Sequence, residues 1–194
     1  VCLSVKNGEL TEHTEKLIKP EWKIRLKDEK NGKTLNGRIR ISDSEGNFRE
    51  VNEGDTVQML PGKSYTLKVC SVEKGYYSGC EQILHVPSEK PEYEIYEIGC
   101  RPFFLSIGIS DKKTGKPVIG AEFVLLDEKD AVCARFRTDQ SVYETSRLSS
   151  DRSYRLHQIG LADHYLPMQD QQIVIPAFGE EMLKCDFSME GYVT

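Results

Sequence analysis

The sequence has 194 residues, 38% hydrophobic and 29% charged, a balance that fits a folded globular chain and excludes disorder, which needs fewer apolar groups or far more net charge. Its 26 basic and 31 acidic side chains, net charge -5, are interspersed, so nucleic-acid binding lacks the clustered basic face it requires. The longest apolar run, Phe103 to Ile109, is broken by Ser106 and Gly108 and is far too short to cross a bilayer.

Residues 1–20 read as a linker or as the remnant of a preceding domain. The first residue is Val, and no charged-then-apolar segment reads as a signal peptide, so the sequence looks like a piece of a longer chain. Cys2-Leu-Ser-Val-Lys-Asn-Gly resembles Cys185-Asp-Phe-Ser-Met-Glu-Gly near the other end, and Thr11 to Lys19 is polar enough for a linker. From residue 21 the hydrophobic period is two. Trp22, Ile24 and Leu26 alternate with Lys23, Arg25 and Lys27, and Ile39 and Ile41 alternate with Arg38 and Arg40. Tyr65, Leu67 and Val69 make a further face. Later come Ala121, Phe123 and Leu125, then Val132, Ala134 and Phe136, then Tyr154, Leu156 and Gln158. Turn signals at 31–32, 45–46, 53–55, 61–62 and 114–115 separate these runs, and no stretch sustains a helical period.

The chain also repeats itself. Asp28, Lys30, Gly32, Lys33 and Gly37 fall on Asp111, Lys113, Gly115, Lys116 and Gly120, and further on Tyr65 falls on Tyr154 and Tyr76 on Tyr165. We expect an all-β protein of two tandem small immunoglobulin-like β-sandwiches, over 21–100 and 101–194. A domain of about ninety residues buries only about two thirds of its unfolded surface, which leaves little room for a deep pocket. A ligand would therefore sit on an end loop or between the domains.

The six cysteines, Cys2, Cys70, Cys80, Cys100, Cys133 and Cys185, show no CxxC pair and no zinc-finger spacing to a histidine, so no metal site and no cofactor is expected. An even count permits three disulfides and free thiols fit equally, which leaves the redox compartment open. Cys70 and Cys80 bracket the Gly75-Tyr76 turn and are candidates to cross-link it. Cys133 alternates onto the face of Arg135 and Arg137, which would lower its pKa, but nothing marks a base and it reads as a solvent-facing thiol. Cys185, in phase with Leu183 and Phe187, reads as buried. His157, Asp163 and His164 are the one grouping that would suit a metal-dependent or acid–base enzyme. Alternation turns His157 outward and spacing supplies no further ligand, so surface histidines are the simpler reading. Tyr76, Tyr77, Phe103 and Phe104 either present aromatic faces to a ligand or pack at the joint near Gly99 to Pro102.

The order of landmarks resembles the collagen-adhesin B-type domain, also called the SpaA-like or prealbumin-like domain, of Gram-positive surface proteins. Asp111, Thr114-Gly115-Lys116-Pro117, Gly120-Ala121-Glu122-Phe123, Thr138-Asp139, Leu148 to Leu156 and Tyr165 stand in that order in the second repeat. Gly54, Leu60 to Leu67 and Gly75-Tyr76 follow it in the first. Many members condense a lysine of the first strand with an Asn or Asp of the last, assisted by a buried glutamate. Here the resemblance puts Leu26 and Ile109 at the lysine positions and Val69 and Gln158 at the glutamate positions, which implies that neither repeat forms the isopeptide bond. Lys23 and Lys27 alternate onto the solvent face and are poor substitutes. The resemblance implies a non-catalytic stalk or adhesion module of an extracellular, cell-wall-associated or pilin-like protein. Its partners would be neighbouring domains of a longer chain, with a host protein or glycan as a further class. The alternative is an adhesin module that grips such a ligand with end loops of one domain. No LPxTG sequence is present, so an anchor would lie outside this sequence.

Overall fold

The alternation of apolar and charged side chains becomes strands throughout the computed structural model, which describes residues 2–6, 9–13, 20–89, 93–139 and 142–192. Strands β1 (Cys2–Lys6) and β2 (Glu9–His13) pair antiparallel in a sheet of their own. Thr11–His13 is therefore strand and not linker, because a ladder is built from backbone groups that polar side chains do not forbid. The rest of that expected linker lies outside the described residues.

The first sandwich takes β3 (Glu21–Asp28), β4 (Gly37–Ser42), β5 (Phe48–Asn52), β6 (Thr56–Gln58), β7 (Ser64–Val72), β8 (Glu81–His85) and β9 (Tyr93–Cys100). One sheet has the order β6-β3-β9 and the other β5-β4-β7-β8. The second takes β10 (Phe104–Asp111), β11 (Glu122–Leu126), β12 (Val132–Arg137), β13 (Val142–Thr145), β14 (Arg152–Gly160), β15 (Gln171–Ile175) and β16 (Met182–Met189). Its sheets, β13-β10-β16 and β12-β11-β14-β15, repeat the first element for element. First and last strands run parallel in both, from Glu21 beside Tyr93 to Asp28 beside Cys100, and from Phe104 beside Met182 to Asp111 beside Met189. No helix occurs among the described residues, so none is long and apolar enough to cross a membrane.

Between the sheets of the first sandwich, Trp22, Ile24 and Leu26 meet Ile39, Ile41, Leu67, Val69 and Ile98, all buried. Each such side chain contributes about 1.5–3 kcal/mol by leaving water. The second core packs Leu105, Ile107 and Ile109 against Phe123, Leu125 and Leu156, with Phe136 and Tyr143 stacked 4.1 Å apart at its edge. It also contains Tyr77, a residue of the first repeat.

Strict alternation fails in β12. The pairing with β11 skips a residue between Ala134 and Val132, which leaves Cys133 as a bulge. Parity shifts there: Val132 is 63% exposed, whereas Cys133 packs against the second core. Cys133 is thus not the solvent-facing thiol its sequence phase suggests. Burial, and then the nearby Asp127, push its pKa up rather than down.

Candidate functional site

A cluster of long-range polar and aromatic contacts lies where the two sandwiches meet. Two short segments build it: the loop between β7 and β8, which carries Gly75-Tyr76-Tyr77-Ser78-Gly79-Cys80, and the strap Arg101-Pro102-Phe103 between β9 and β10. They run antiparallel, with Phe103 N–H donating to Gly75 C=O at 2.8 Å, Tyr77 N–H to Arg101 C=O at 3.0 Å, and a bridge between Tyr76 and Pro102. Adjacent side chains of a paired segment point opposite ways. Tyr76 therefore stays with the first sandwich, and Tyr77 enters the second.

The Tyr77 ring is fully buried, stacked on Phe103 at 4.7 Å and tilted against Phe178 at 5.8 Å. Its hydroxyl donates to Glu180 C=O at 2.6 Å, so the buried phenol keeps a partner. Further hydrogen bonds cross the joint: Gly75 N–H to Leu148 C=O at 2.8 Å, Gly79 N–H to Ala177 C=O at 2.8 Å, Ser78 N–H to Ser150 Oγ at 2.8 Å, and the Ser150 hydroxyl to Ser78 Oγ at 3.1 Å. Both glycines are needed for this approach. A Cβ on Gly75, whose φ is +86°, would lie 2.6 Å from the Ser146 carbonyl oxygen, and one on Gly79 would lie 2.7 Å from that of Ala177. At the rim, Lys30 pairs with Glu181, Arg101 bonds Glu29 at 2.9 Å, and the Arg101 guanidinium lies over the Phe178 ring at 4.9 Å. A groove of about 220 Å³ beside the joint, lined by Cys70, Ser71, Ser78 and Ser150, is small beside the roughly 300–1,000 Å³ typical of small-molecule sites.

Below the joint, the Tyr76 hydroxyl donates to Asp28 Oδ2 at 2.9 Å. Burial pushes the Asp28 carboxyl up, but the Lys30 N–H, the Tyr76 hydroxyl and the Asn31 donors together hold it below its ordinary value. The same contacts push the Tyr76 phenol up to about 12, with burial first and the Asp28 carboxylate second.

The second sandwich carries the same frame at its far end. Tyr192 N–H donates to His164 C=O at 3.0 Å, Leu166 N–H to Glu190 C=O at 2.9 Å, and Tyr165 bridges Gly191. Tyr165 bonds Asp111 as Tyr76 bonds Asp28. Leu166 and Tyr192 thus occupy the places of Tyr77 and Phe103, yet each is 47% exposed. His164, in the place of Gly75, keeps a left-handed φ of 66°.

The other sequence candidates are dispersed. Leu26, Val69 and Ile109 are buried in the two cores. Gln158 is half-buried and holds the following loop, its amide accepting from Met168 N–H at 2.6 Å and donating to Gly160 C=O at 2.9 Å. Lys27 lies outward against Glu97 at 2.6 Å. His157 and His164 are not brought together. His157 bonds Asp170 at 2.7 Å in an exposed cluster with Arg155, while His164 sits in a turn, and no group of three or more His, Cys, Asp or Glu is placed to hold a metal among the described residues. Tyr77 and Phe103 are buried and have no face for a ligand, while Tyr76 and Phe104 are only partly exposed. Cys70 and Cys80 are both free and do not cross-link the turn. Cys80 instead touches Cys100, across two strands of sequence that no local spacing links. Cys185 is half-buried against the second core.

No family model matches the sequence, and no curated protein matches it. Among solved structures, the chain resembles the Bacillus anthracis TIE protein over 89% of its length, at 18% identity and a TM-score of 0.47, and spans 34% of that protein. A streptococcal ancillary pilin is similar over 90% of the chain and 63% of its own length, at 12% identity and a TM-score of 0.45. A double mutant of the shaft pilin SpaA from Lactobacillus rhamnosus GG is similar over 90% of the chain and 98% of its own length, at 9% identity and a TM-score of 0.41. Pilins of Gram-positive bacteria are thus among the structures this chain resembles. At these TM-scores the likeness is one of general architecture, and the strand order above is the chain's own.

Proposed function

We propose that the chain is a non-catalytic stalk segment of a bacterial surface or pilus protein, exposed outside the cell and associated with its wall. The observation that carries this reading is the joint, in which Tyr77 of one sandwich is a core residue of the next. A linker that served only to tether would not need a buried ring, a set of crossing hydrogen bonds and two glycines at contact distance. The exposed pair Leu166 and Tyr192, on the same backbone frame, offers the equivalent seat to a following domain of a longer chain.

Each sandwich holds together through its core without an isopeptide bond. Leu26 and Ile109 have no amine to attack with, and Val69 and Gln158 have no carboxylic acid to move the proton. Intact mass under denaturing, reducing conditions should equal the sequence mass. A deficit of one ammonia or one water would show a cross-link formed by other residues. The stalk reading itself is tested on arrays of glycans and matrix proteins, where it predicts no saturable binding. Saturable binding abolished by a substitution in an end loop would make the chain an adhesin module instead.

A further inference from the structure

Cys100 ends β9 fully buried in the first core, and Cys80, the last residue before β8, packs against that same core. The backbone brings them together from both sides. Tyr77 N–H bonds Arg101 C=O at 3.0 Å, and Val69 N–H bonds Cys80 C=O at 2.9 Å. The two thiols are thereby neighbours, and the Arg101 backbone N–H lies beside the Cys80 sulfur. We propose that Cys80 and Cys100 are a redox pair that closes to a disulfide by exchange with a small-molecule disulfide, fastening the Tyr77 loop to the strap. This inference stands on the joint's geometry and not on the stalk reading.

The two sulfurs are unequal, which assigns their roles. The neighbouring Cys100 thiol brings the Cys80 thiol down to about 7, burial opposing and the Arg101 N–H assisting. The neighbouring Cys80 sulfur and burial push Cys100 up. Cys80, the partly exposed member, is therefore the attacking thiolate, and Cys100 resolves. With oxidised glutathione, the Cys80 thiolate attacks one sulfur. The glutathione S–S bond breaks and its electron pair leaves on one glutathione thiolate. Cys100 then releases its proton to water and attacks the Cys80 sulfur of the mixed disulfide, and the second glutathione leaves as thiolate. Two electrons pass from the cysteines to glutathione disulfide, and two protons to solvent, one when Cys80 ionises and one from Cys100. The second repeat is a built-in control, with Gln169 and Met189 at the corresponding places.

The test is to incubate the full chain with oxidised glutathione, record its intact mass after denaturation, and map disulfides without reductant. The expected result is a loss of two hydrogens, restored by dithiothreitol, with the Cys80 peptide linked to the Cys100 peptide. Cys100→Ser should instead retain one glutathione on Cys80, because the resolving thiol is gone. The map on the unaltered chain stands even if that variant folds poorly, and glutathione on Cys2, Cys70, Cys133 or Cys185 is located separately by it. Cys80 linked to Cys70, or Cys80 and Cys100 both still open to alkylation, overturns the pair. Closing the bond should also raise the thermal midpoint by several degrees, a gain that reductant removes.

Discussion

Tyr77 with Phe103, and Leu166 with Tyr192, stand on one backbone frame in the two repeats, with the same two hydrogen bonds and the same bridge. The first pair is buried in a neighbouring core and the second is half in water. The frame is therefore a property of the sandwich, whereas the joint is a property of what the frame presents. Where Gly75 and Gly79 bring the loop within contact of Ser146 and Ala177, the second repeat has His164 and Met168.

Substitutions at matched positions can break this comparison. Tyr77→Ala removes a buried ring and should cost about 3–5 kcal/mol, read by urea unfolding with far-UV circular dichroism. An unchanged midpoint would mean that the ring is not seated as described. Gly75→Ala forces a Cβ onto a backbone oxygen at positive φ and should cost roughly 1–3 kcal/mol. At the matched turn the sign reverses: His164→Gly relieves a left-handed residue and should stabilise by about 0.5–1 kcal/mol. Leu166→Ser, at the place of Tyr77, should change stability by no more than about 0.5 kcal/mol, because the side chain is already half in water.

A pH titration sharpens the same contrast below the joint. The Tyr76 phenol titrates at about 12 in the folded chain against an ordinary 10, so its contribution is complete below pH 10 and is lost as pH rises towards 12. Asp28 has the opposite sign. Its lowered pKa gives stability that is present above the ordinary carboxylate range and lost as pH falls through the folded value. Tyr76→Phe should flatten the alkaline limb of urea midpoints taken across pH.

The sandwiches themselves were legible because alternation is a local property. Trp22, Ile24 and Leu26 face inward wherever their strand is placed, and the repeated Asp28 and Asp111 turns mark the same corner twice. Cys133 was misread because a bulge inserts one residue without a glycine or proline to announce it. Thr11–His13 was misread because polarity describes side chains while the ladder uses backbone. At the joint, two glycines around two tyrosines were a visible signal of close approach. The destination of Tyr77 was not visible, since it depends on which surface the next domain brings. The Cys80–Cys100 contact was hidden for a similar reason, since β8 and β9 intervene in sequence and only the folded sheet returns the chain to the loop.

The claim on which the rest depends is that the joint fixes the two sandwiches to each other. Backbone residual dipolar couplings of the full chain, measured in a weakly aligning medium, test it directly. Couplings from residues 20–89 and 104–192 should fit one alignment tensor on this geometry, and Tyr77→Ala should split them. Two different tensors in the unaltered chain would mean that the sandwiches reorient independently and that Tyr77 does not hold them.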